Sequence, residues 1–196
     1  MLKTLQNAFR VKEVRQKLVY TFMMLIVFRI GSQMPIPGAN TSFFDELFAR
    51  YNNDAFGFLN SITGGSLTNM SVFALSITPY ITSSIIMQLL TIAIPKLEEM
   101  QRDGEEGRKK IQEYTRYLTV GLALMQSAAM AIGFGGQGLL LDFTALNVIV
   151  TVATMTAGSA VLMWIGERIT ENGVGNGISI VLLFNILSTI TSDMIS

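Results

Sequence analysis

The stretch 74–90, ALSITPYITSSIIMQLL, is apolar enough for a bilayer yet carries Ser76, Thr78, Tyr80, Thr82, Ser83, Ser84 and Gln88. Catalysis at such a place needs a nucleophile, a base or metal ligands, and the sequence offers few. It contains no cysteine and no histidine, which removes thiol nucleophiles, disulfides, imidazole bases and the usual transition-metal ligand sets. An intramembrane hydrolase would need a dyad inside the apolar segments, and the aspartates near them, Asp142 and Asp193, lie toward the outer side. The expectation is a protein that is not an enzyme, with no catalytic, cofactor or metal residues. Lipid tails give hydroxyls and amides no hydrogen-bond partner, so this helix should meet water, protein or both. Ile77, Ile81 and Ile85 recur every four residues and stack on one face beside Ser76, Thr82, Ser83 and Ser84. Branched apolar side chains beside small hydroxyls suit a constriction in a water-filled path, where dewetting blocks ions. The same pattern suits ordinary helix packing, with Pro79 kinking the helix.

Three further groups invite a chemical reading. Gly173, Gly175 and Gly177 alternate with Val174 and Asn176 just before an apolar run. Their N–H groups could cap an anion, but no strand precedes them and the spacing is not a nucleotide fingerprint, which favours a rigid turn between helices. Ile178 and Leu182 follow, again four apart on one face. Arg29 is an intramembrane charge, either functional or snorkelling outward or held in an ion pair. The acidic cluster Glu98, Glu99, Asp103, Glu105 and Glu106 is interleaved with Lys and Arg, the pattern of a solvated loop rather than a cation site. The 12 methionines fit adaptable packing or contact with varied partners.

Positioning such residues is the task of membrane helices. Half of the 196 residues are apolar and 14% are charged, against roughly 25% in soluble domains. Apolar segments at about 19–35, 71–95, 117–134, 148–166 and 178–196 have spanning length, and Pro35 and Pro95 stand where two of them should end. The predicted fold is all-α and polytopic, with five transmembrane helices. Residues 1–18 read as an amphipathic helix on the membrane surface. Lys and Arg concentrate in this segment and in residues 96–116, with Arg168 in 167–177, while Arg50 stands alone in 36–70. Basic residues stay inside, so the N-terminus is predicted cytoplasmic and the C-terminus outside. The run AFGFLNSITGGSLTNM, 55–70, is too broken to span and too apolar to be freely solvated, so it is either a re-entrant helix among the others or a surface helix. An odd number of spans is what dividing an inverted repeat in half produces. Half of an inverted-repeat secondary transporter is the competing reading, although the middles of these spans hold mainly hydroxyls, amides and isoleucine.

The segments SVFALSITPYITSSIIMQLL (71–90) and WIGERITENGVGNGISI (164–180), with FRIGSQMPIPG (28–38) and GEEGRKKIQEYTRYLT (104–119), resemble the SecY family of channel subunits. That resemblance implies the N-terminal half of a ten-span, hourglass protein-conducting channel in the bacterial plasma membrane. Unfolded secretory chains would cross it, and membrane proteins would leave it sideways into lipid. Ile77, Ile81, Ile178 and Leu182 would be this half's share of a pore ring, Leu182 standing where isoleucine is frequent. Residues from about 55 to 69, with Phe56, Gly57, Phe58, Leu59, Ile62, Gly64, Gly65 and Leu67, would form the plug. Ser76, Thr82, Ser83 and Gln88 would be the polar face lining the path and lateral gate. The implied partners are the C-terminal half or a second copy of this chain, SecE, SecG, signal sequences, nascent chains and the lipid bilayer. The SecA motor or the ribosome would engage mainly the other half.

Overall fold

The computed structural model describes residues 11–44, 46, 47 and 62–195, with side chains described through residue 188. The expected plug residues Phe56, Gly57, Phe58 and Leu59, and residues 1–10 of the expected surface helix, lie outside the described residues. Among those described, the helices are α1 (Lys12–Ser32), α2 (Thr78–Ala93), α3 (Pro95–Arg102), α4 (Glu105–Phe134), α5 (Ala145–Asn172) and α6 (Gly177–Ile195). The all-α expectation stands, with only the isolated bridge pairs Pro35–Ser71 and Ala39–Leu140 beside the helices. α5, and α4 with the π turn Gly135–Leu139 that follows it, are long and apolar enough to cross a membrane. α2 and α3 make a third such element if the pair, bent by 102°, is taken as one.

The helix boundaries follow from local chemistry. α1 stops at Ser32, ahead of Pro35, because a proline disfavours helical backbone in the residue before it. Pro95 opens α3 in the first turn, where its missing N–H has no intrahelical partner to lose. Gly104, at φ 80°, turns the chain from α3 into α4. The expected loop 96–116 is therefore mostly helical, broken only around Asp103–Gly104. Hydropathy marks the part of a helix that suits lipid, and α4 and α5 run on past it as charged, solvated turns. α5 likewise continues to Asn172, which shortens the expected 167–177 loop to residues 173–176.

The second expected span needs a larger correction. Its helix begins at Thr78 rather than near residue 71, and Pro79 lies in the first turn, so it starts the helix instead of kinking it. Residues 62–77 before it are helical at Ile62 and Thr63 and then run through tight turns. Gly64 and Gly65 take φ of 66° and 79°, and Met70 and Ser76 take 44° and 54°, left-handed conformations that a continuous helix cannot contain. Over its described part, the expected plug is helical at Ile62 and Thr63 and then continues as a folded strap. Val72 N–H donates to the Met34 carbonyl and Ile36 N–H to the Met70 carbonyl, both at 2.9 Å, which ties the strap to the chain leaving α1.

α5 is the central helix, packed against α1, α2, α4 and α6. One apolar cluster, with Ile36, Phe43, Phe44, Leu67, Met70, Leu139 and Met155, lies at the end of α4 and the start of α5. A second joins Phe28 and Phe73 to Leu162, Ile165, Ile169 and Val181. Lipid supplies no hydrophobic drive for helix association, so close contact and internal hydrogen bonds carry it. Ser127 of α4 and Thr156 of α5 bond at 3.1 Å. At Gly158 a Cβ would overlap the carbonyl oxygen of Val72, so only glycine lets the strap lie on the α5 backbone. Gly158→Ala should therefore cost about 1–3 kcal/mol, read as a lower melting temperature in detergent together with faster proteolysis of residues 62–77. A parent-like melt and digestion pattern would show that the contact is dispensable.

Candidate functional site

The four expected ring residues meet. Ile77 and Ile81 come from the start of α2, and Ile178 and Leu182 from the first turns of α6. All four belong to one apolar cluster built around Ile77, Tyr80 and Met163. Ile77 is 1% exposed, whereas Ile81, Ile178 and Leu182 are half-buried, so one side of the cluster is open. α5 supplies the seat. A Cβ at Gly166 would stand 3.4 Å from Ile77 Cδ1 and 3.5 Å from Ile178 Cγ1, so isoleucines from both helices rest on this bare stretch of backbone. The arrangement offers no nucleophile, base or ligand set. It offers a patch of branched apolar side chains, three of the four partly exposed, which suits contact with an apolar or featureless partner.

The turn 173–176 fixes the α6 half of this patch. Val174 N–H donates to Thr21 Oγ1 of α1 at 3.2 Å and Gly177 N–H to Thr170 Oγ1 at 2.9 Å. Ile178 N–H is capped by Asn176 Oδ1 at 3.0 Å, and Gly173 N–H donates to the Ile169 carbonyl at 2.7 Å. These N–H groups are spent inside the protein, which makes the glycine-rich segment the rigid interhelical turn and not an anion cradle.

Ser76, Thr82, Ser83 and Gln88 were expected on one polar face, and the structure does not gather them there. Ser76 and Ser83 are buried, Thr82 is half-buried and Gln88 is exposed. Ser83 Oγ donates to the Pro79 carbonyl at 2.7 Å and Thr82 Oγ1 to the Thr78 carbonyl at 3.0 Å. A hydroxyl that bonds its own helix one turn back needs no water, so polar residue type does not by itself reveal a wet face. Gln88 opens on a cavity of about 240 Å³ between α2, α3 and α4, which Tyr80, Arg108 and Gln112 also line. Arg29 makes no ion pair among the described residues. Its Nη1 donates to the Gly64 carbonyl at 3.3 Å, so this charge holds the strap. Of the other expected plug residues, Leu67 is buried in the first apolar cluster, and Ile62 lies beneath α6.

Two groups escaped the sequence reading. Glu167, 8% exposed, accepts from Arg116 Nε at 2.9 Å and from Gln112 Nε2 at 3.2 Å, fastening α4 to α5 one residue beyond Gly166. Gln112 and Arg116 are four apart, a spacing that puts both on one helix face and was the available signal. Asn185, fully buried in α6, was the other, and a lone amide in an apolar helix is its trace in the sequence.

This bundle of helices around α5 has the fold of the SecY and Sec61 protein-conducting channels. It matches the Sec61 of the canine ribosome–channel complex from the endoplasmic reticulum, and a structure described as a protein conducting channel, each with a TM-score of 0.63 at 21% identity. Each match covers 90% of this chain and 37% of the other. Residues 71–196 match the SecY family model, and the chain belongs to the SecY family. It is 45% identical over 99% of its length to the protein translocase subunit SecY of Halalkalibacterium halodurans, and 43% identical over its whole length to that of Staphylococcus aureus. The chain spans about half the length of these relatives, 45% and 46% respectively.

Gly166 separates space from strain at this site. Gly166→Ala should stay within about 0.5 kcal/mol of the parent, whereas Gly166→Leu, which must displace Ile77 and Ile178, should lose about 1–3 kcal/mol. Thermal unfolding in detergent measures both, and equal melting temperatures for the two variants would remove Gly166 as the seat.

Proposed function

We propose that this chain is the N-terminal half of a channel that moves unfolded secretory polypeptides across, and membrane proteins into, the bacterial plasma membrane. The observation that carries this reading is the meeting of Ile77, Ile81, Ile178 and Leu182 on one open-sided cluster, in a chain of the SecY family. In the full channel, α1, α2, α4, α5 and α6 serve as five spans, with the N-terminus cytoplasmic and the C-terminus outside, as the basic residues suggest. The other half closes the ring from the open side. Branched apolar side chains then fold around a passing chain of any sequence without binding it, and their dewetted gap limits ion flow. No bond is made or broken, and the energy comes from an external motor.

Residues from about 55 to 69, of which Ile62–Asn69 are described, act as the plug in this reading. Thr82 and Gln88, the less buried members of the polar set, line the path and lateral gate; Ile85, Leu89 and Ile92 expose an apolar edge of α2 beside them. The partners are the remaining half of the channel, SecE and SecG, signal sequences and nascent chains, with SecA or the ribosome on the cytoplasmic side. The test is Ile81→Ser in the complex with the remaining half. Planar-bilayer leak during transport should rise several-fold because a hydroxyl wets the constriction. Leak equal to the parent would count against the ring.

A further inference from the structure

Asn185 lies at i+7 from Ile178 and i+3 from Leu182, hence on the ring-bearing face of α6, about one turn further along. Its Nδ2 donates to the Ile62 carbonyl at 3.1 Å and reaches Ser76 Oγ at 3.5 Å. One buried amide thus touches both ends of the strap. Gly64 lies against the same side chain, where a Cβ would come within 2.9 Å of Oδ1. Ser76 holds a φ of 54°, a conformation that persists only when its surroundings impose it, and it directly precedes Ile77 of the ring. From these contacts we propose that Asn185 is a positioning residue that holds the strap seated and couples its release to widening of the ring. The inference rests on reading Ile62–Asn69 of the strap as part of the plug.

The chemistry explains how release could be independent of cargo sequence. A buried amide donor cannot be left unmet at membrane depth. Any extended polypeptide brings backbone carbonyls, which can take the place of the Ile62 oxygen. Once Nδ2 turns to them, Ser76 loses its restraint and Ile77 can swing away from Gly166. Arg29, which holds Gly64 from the α1 side, is a second hold on the strap.

The chain has no native cysteine, so one introduced at Thr63, 7% exposed, reports on the strap. In the complex with the remaining half, its reaction with a membrane-impermeant maleimide and the resting ion conductance are both measured. Asn185→Leu and Asn185→Ala, neither of which can donate to the Ile62 carbonyl, should each speed labelling about tenfold, as expected for one lost buried hydrogen bond. Both should raise conductance. Ser127→Ala, which breaks a polar pair between α4 and α5, should change neither. Labelling within twofold of the parent in both variants overturns the hold on the strap, and faster labelling at unchanged conductance overturns the coupling to the ring. Transport of a secretory chain by the parent complex is read separately, and its absence would overturn the channel reading instead.

Discussion

The architecture depends on how closely other chain segments can approach α5. Two glycines set that distance. At Gly158 the strap's Val72 carbonyl lies where a Cβ would be, and at Gly166 the side chains of Ile77 and Ile178 rest on bare backbone. The first contact fixes where the strap passes, and so where α2 begins. The second fixes how near α2 and α6 come to each other, and so whether their isoleucines form one patch. In lipid, where burying apolar surface against apolar surface gains little, such backbone-distance contacts are the main source of helix association. The same two positions therefore set both the path of the strap and the spacing of the helices around α5.

Polar groups then decide what is held and what can move. Most hydroxyls in the helices are spent on their own backbone, as Thr115, Thr119, Thr154 and Thr156 are, each bonded to the carbonyl four residues earlier. Of these four, Thr156 alone also reaches another helix, through Ser127 of α4. The few side chains that reach across elements do the fastening: Arg116 and Gln112 to Glu167 near the ends of the helices, Thr21 to the α5–α6 turn, and Arg29 and Asn185 to the strap. The first set joins helix to helix, and the second joins α1 to an interhelical turn. The third joins two helices to the strap and its left-handed residues.

Residue spacing made much of this legible. The four-residue repeats put Ile77 and Ile81, with Ile85, on one face and Ile178 with Leu182 on another, and the family resemblance then picked out the four that meet from segments about a hundred residues apart in sequence. Proline and glycine marked most of the helix ends. What stayed hidden has physical causes. Pro79 has the same effect on sequence pattern whether it kinks a helix or starts one, and only the left-handed Ser76 decides between them. The charged 96–116 stretch looked like a loop because hydropathy reports lipid compatibility, not backbone conformation. Ser83 and Thr82 looked like a wet face because composition cannot tell a hydroxyl facing water from one bonded to the turn behind it. Glu167 was passed over because its partners come from another helix, and the burial that gives the pair its value is tertiary.

The central claim is that the cluster at the start of α2 and α6 lines a path for polypeptide. The most direct measurement places a single cysteine at position 81 in the complex with the remaining half, and tests disulfide crosslinking to a cysteine in an arrested secretory chain. A cysteine at Leu124, an exposed position on α4, is the control. Crosslinking at 81 and not at 124 is the predicted result. An assembled complex that crosslinks at neither position, or equally at both, would contradict a path bounded by this cluster and leave it as helix packing.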